Sequence, residues 1–73
     1  MYSFNPHALR ALLAQRAMTR EALARSAGLS LAAIGKLVGG AIINPTADTL
    51  FRIADVLGCE PRDLMQSEPP PPA

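Results

Sequence analysis

The stretch MTREALARSAGLSLAAIGKL, residues 18 to 37, constrains this chain more than any other, because two helix-start signals stand on either side of one glycine. Thr19 reads as an N-cap, with Leu23 placed to close a hydrophobic staple back onto Met18. Gly28 ends that helix. The start signal then repeats at once, with Leu29 before the cap, Ser30 as N-cap and Ile34 inside the next helix. Two helices joined this tightly pack at a steep angle. They need a small residue at the approach, a residue free to take positive φ in the corner, and branched apolar residues on the inner face of the second helix. Ala24, Gly28, Ile34 and Leu37 meet those needs.

The remaining chain continues the helical pattern. Phe4, Asn5, Pro6 and Leu9 supply a staple partner, an N-cap, a proline at the first helical position and the matching apolar residue. Leu9, Leu12 and Leu13 form a buried stripe, and Leu50, Ile53, Ala54 and Leu57 form another after the Thr46 cap. Asp48 and Arg52 stand four apart on the opposite face, which makes Arg52 an intrahelical ion partner. The spacing predicts five helices, near 6–16, 19–27, 30–39, 46–57 and 61–65, and no strand within 5–65. The expected core is Phe4, Leu9, Leu12, Leu13, Leu23, Ala24, Leu29, Ile34, Leu37, Leu50, Ile53, Ala54, Leu57 and Leu64, with Phe4 and Phe51 as the bulkiest pieces. Ile42 and Ile43 are unusual in a loop, and at least one should turn inward against the fourth helix or meet a partner. Residues 1–66 thus read as one domain. Residues 67–73, SEPPPPA, read as a disordered or polyproline-like tail.

Size and composition narrow the function. With 73 residues there is room for one small core, and the 49% apolar content holds few aromatics, which suits a bundle of short helices. Cys59 has no partner for an internal disulfide and reads as a small core residue, as fits a reducing cytoplasm. His7, the lone histidine, reads as a solvated surface residue. No metal or cofactor site and no nucleophile–base pair can be assembled from one histidine and one cysteine, so no enzyme is expected. The apolar run around LRALLAQRAM is broken by Arg10 and Arg16, too short for a membrane span and wrongly flanked for a signal peptide. The net charge is only +1, but residues 1–44 carry Arg10, Arg16, Arg20, Arg25 and Lys36 against Glu21 alone, whereas acidic residues prevail in 45–73. The half with the helix–corner–helix is the basic half, as a phosphate-facing surface requires.

With Arg20 as the first motif position, Ala24, Gly28, Leu29, Ile34 and Leu37 fall where the phage repressor and Cro type (Xre-like) helix-turn-helix family places its packing residues. The chain resembles that family from Phe4 to Met65 without a gap, including the GGAIINPTADTLFRIADVLGCEPRDLM stretch. The resemblance implies an all-α, compact five-helix, lambda-repressor-like domain. It also implies double-stranded DNA as partner, usually bound by a two-fold homodimer in the bacterial cytoplasm at the nucleoid. Where the family often pairs an arginine with a glutamate, this chain has Leu13 and Val38, an apolar replacement of the kind that is commonly neutral or stabilising.

Carried over residue by residue, the resemblance makes Arg20 the phosphate holder at a helix start, with Arg25 second because Glu21 competes for it. It places Ser30, Leu31, Ala32, Ala33, Gly35 and Lys36 at the base-reading positions, and Asn44 in the phosphate-contacting loop. Here the chain departs from the pattern. Only Ser30 and Lys36 can read by hydrogen bonds, while Leu31, Ala32 and Ala33 offer methyl contacts to thymine, so low specificity or shape readout follows. The expected function is a repressor-like transcriptional regulator. The alternative is a protein-interaction module, antitoxin-like or a regulatory partner, presenting an apolar surface of Leu31, Val38, Ile42 and Ile43.

Overall fold

Four side chains set where the helices begin in the computed structural model, which describes residues 2–67. Asn5 Oδ1 accepts from the backbone N–H groups of His7 and Ala8, and α1 runs Pro6–Gln15. Thr19 accepts from Ala22 and opens α2, Arg20–Ala27. Ser30 accepts from Ala33 and opens α3, Leu31–Gly39. Thr46 accepts from Thr49 and opens α4, Ala47–Leu57. Each cap satisfies an amide that the helix itself leaves unpaired.

α2, α3 and α4 each end on a left-handed glycine, whereas α1 has none within reach. There the chain turns through Ala17 at φ 50, alone among the described non-glycine residues in having positive φ. The Met18 N–H then donates to the Leu13 carbonyl at 2.9 Å, closing the corner into α2.

Short strands tie the ends of the described chain together. β1, Tyr2–Phe4, pairs antiparallel with β2, Met65–Ser67, in the register Tyr2 with Ser67, Ser3 with Gln66 and Phe4 with Met65. The Phe4 N–H donates to the Ile43 carbonyl at 2.8 Å and the Asn5 N–H to the Leu64 carbonyl at 2.7 Å. These bonds hold Phe4, wholly buried, in one core with Leu9, Leu23, Ile34, Leu37, Ile53, Leu57 and Leu64.

Several expectations need correction. Among the described residues four α-helices form, not five, because Pro61–Leu64 is a single 3-10 turn closed by a reciprocal cap between Glu60 and Asp63. Four residues that begin with a proline are too few to establish an α-helical ladder, and Met65 is already extended at φ −115, ψ 154. Met65 accordingly starts β2, a strand inside the range expected to hold none. Phe51 is 58% exposed rather than core, since it lies about 100° around α4 from Leu50, off the buried stripe. Ala27 and Val38 join the core instead, and Leu12, Leu29 and Leu50 lie partly buried against it. Leu13 and Val38 are both buried, consistent with hydrocarbon in place of an ion pair. Ser67, the first residue of the expected tail, is the last of β2, and 68–73 lie outside the described residues.

Candidate nucleic-acid interface

The corner between α2 and α3 depends on Gly28. Its backbone sits at φ 70, ψ 33, and the Leu29 N–H donates back to the Ala24 carbonyl at 2.9 Å. A Cβ here would also lie 3.1 Å from Arg52 Nη1, so both conformation and space favour glycine. The corner delivers α3 with Ile34, Leu37 and Val38 facing inward. By helical periodicity the outward face then centres on Ala32 and Lys36, flanked by Gly35 and Gly39.

The proposed reading residues occupy that geometry unevenly. Ser30, Leu31, Ala32 and Lys36 are exposed, whereas Ala33 and Gly35 are half-buried. Ser30 Oγ accepts the Ala33 N–H at 3.1 Å, which leaves its own O–H free to donate outward. Ala33 comes together with Asn44 along an open groove of about 230 Å³ shared with Leu37, Ile42, Pro45 and Thr49. Ile42 is half-buried there, so it has turned inward toward the start of α4, while Ile43 is 51% exposed. Val38, one of the residues of the supposed apolar surface, is only 2% exposed and belongs to the core, removed from any patch with Leu31.

The cations divide sharply by use. Arg10 Nη1 donates to the Val38 carbonyl at 2.8 Å, while Nη2 lies 2.7 Å from Nδ1 of the exposed His7. Arg16 Nε donates to the Leu57 carbonyl at the end of α4. These two arginines close helix C-termini, where orphan carbonyls and the negative end of the macrodipole favour a cation. Arg52 pairs with Asp48 at 2.9 Å, as the four-residue spacing predicts, and also reaches the Ala27 carbonyl at 3.4 Å. Arg62 pairs with Glu60. Among the described residues, the cations left without a protein partner are Arg20, Arg25 and Lys36, all exposed on the two helices of the motif.

Sequence reasoning ranked Arg25 second to Arg20 because Glu21, four residues earlier, competes for it. That pair does not form. Glu21 instead stands in the first turn of α2, where a carboxylate is favoured by the helix N-terminus without any ion partner. Away from this surface, Cys59 is half-buried against the core, and desolvation, then the Asp63 carboxylate, pushes its thiol pKa up. Among the described residues, no three metal-ligating side chains come together, and no helix is long and apolar enough to cross a membrane.

The tight α2–Gly28–α3 corner, the buried inner face of α3 and the bare cations define a helix-turn-helix domain. Comparison with known proteins makes the assignment specific. The Cro/C1-type HTH DNA-binding domain matches residues 8–70. The chain is also similar to the crystal structure of "a putative DNA-binding protein from Bacteroides fragilis", with a TM-score of 0.74 and 26% identity over 90% of this chain and 100% of that one. No curated protein sequence gives a significant match. The chain belongs to the Cro/C1-type helix-turn-helix DNA-binding family.

Proposed function

We propose that the protein is a repressor-like transcriptional regulator that binds duplex DNA as a two-fold dimer, in the bacterial cytoplasm, with no enzymatic activity. The observation that carries this reading is the partition of cations. Every described arginine outside the motif helices is engaged by a carbonyl or a carboxylate, whereas Arg20, Arg25 and Lys36 are exposed and unpaired. In this reading Arg20 holds phosphate at the positive end of α2, and Arg25 adds a second contact. Ser30 and Lys36 supply the polar contacts of α3, with Lys36 at a base edge or phosphate. Leu31, Ala32, Ala33 and Gly35 give shape and methyl contacts, and Asn44 meets phosphate from the loop.

So few polar readers favour recognition through groove shape over a long hydrogen-bonded code. The interaction-module alternative is weakened because its surface loses Val38 to the core and half of Ile42 to the groove beside α4. Fluorescence anisotropy against duplex pools at several salt concentrations tests the reading. Two or three phosphate contacts per subunit give a log–log slope of roughly −4 to −5 for a dimer. Binding to no duplex, or binding indifferent to salt, would refute it.

A further inference from the structure

α4 carries a surface for which DNA binding has no use. It buries Ile53, Ala54 and Leu57 and turns Phe51 outward. Beside Phe51 runs an open groove of about 410 Å³, lined also by Ala54, Cys59 and Pro61, with Arg52 and Asp55 along it. Of the exposed carboxylates on the same or adjoining elements, Asp48 and Glu60 are paired with Arg52 and Arg62, which leaves Asp55 and Asp63 without an ion partner among the described residues. Their negative charge opposes both nucleic acid phosphates and an anionic lipid surface. A protein is the occupant that remains.

We propose that this face is the contact between two copies of this chain, Phe51 of each entering the groove beside Phe51 of the other. The inference rests on the dimeric reading above and supplies its surface. A two-fold interface must be complementary to itself, so a projecting group and the hollow that receives it have to lie on one patch. Phe51 and its groove do so. The charges obey the same condition. Asp55 has no ion partner among the described residues, and Arg52 spends Nε on Asp48 and Nη1 on the Ala27 carbonyl, which leaves guanidinium N–H groups to donate. Two-fold pairing sets Arg52 of one copy toward Asp55 of the other. Cys59, which lines the groove, becomes covered in the dimer and so reports on it.

The test uses the full chain without DNA. Sedimentation velocity across a range of protein concentrations gives the oligomeric state, and the rate of Cys59 alkylation by N-ethylmaleimide gives the coverage of the groove. The expected result is a dimer whose alkylation slows several-fold as protein concentration rises. Phe51→Asp is expected to keep its helical circular dichroism, sediment as a monomer and alkylate at a rate independent of concentration. Asp55→Arg, which sets two cations against each other without touching the core, is expected to behave alike and guards against a folding defect in the first variant. A wild-type dimer that persists in both variants overturns the proposed surface while leaving the dimer intact, as does monomerisation by Ile43→Asp alone. A wild type that is monomeric at every concentration overturns the inference outright, and salt-dependent duplex binding then judges the DNA reading separately.

Discussion

Ala17 holds a backbone conformation at φ 50 that costs an L-residue about 1–2 kcal/mol, because its Cβ crowds the following carbonyl. Ala17→Gly should therefore raise stability by up to about 1 kcal/mol once the greater freedom of glycine in the unfolded chain is subtracted. Urea denaturation measures this, and a lower midpoint with unchanged m-value would contradict the strain. Ile34 gives the opposite case. It is wholly buried between the motif helices and the rest of the core, so Ile34→Ala should cost on the order of 2–5 kcal/mol in the same experiment. Residues of this kind were legible in the sequence because their roles follow from local spacing. Arg10 and Arg16 were not: counting cations cannot show that a guanidinium will reach a carbonyl 28 or 41 residues away. Phe51 misled for another reason, since its size suggested the core while its position on the helix turned it to solvent.

The elements most faithfully foreshadowed are those with a side-chain cap. Asn5, Thr19, Ser30 and Thr46 each bond the amides expected of them, and α1 to α4 start within a residue of the expected positions. β1 and β2 were invisible. Three residues show no period, and what makes them strands is a pairing between opposite ends of the chain. α3 offers a test at this scale. Gly35 has helical backbone, and nothing lies within 4 Å of where its Cβ would be. Gly35→Ala should thus stabilise the fold by about 0.5–1 kcal/mol through helix propensity alone. If α3 enters a groove of the duplex, the added methyl stands toward DNA and affinity should fall while the melting temperature rises. A rise in both would mean that no close approach occurs at Gly35.

Across the whole molecule, charge is sorted by face, with bare cations on α2 and α3 and a mixed, acid-rich surface around α4. That sorting separates the two proposed contacts and lets each be altered alone. Arg20→Ala should weaken binding to all duplexes alike and flatten the salt slope by about 2 per dimer, with sedimentation unchanged. Loss of affinity for one sequence only, at constant slope, would make Arg20 a base reader instead. The asymmetry of charge was legible from the order of charged residues along the chain, but which cations stay unpaired required the three-dimensional fold.

The β1–β2 pairing makes the described chain a nearly closed loop, with Tyr2 directly across from Ser67. A short peptide bridging these positions would therefore meet little strain, and the protein is suited to backbone cyclisation or to circular permutation with new ends in the exposed stretch near Ala41. The same adjacency gives any segment attached before Tyr2 and any attached after Ser67 a common point of departure. Two such appendages, one at each end, would start side by side even though the whole folded sequence separates them.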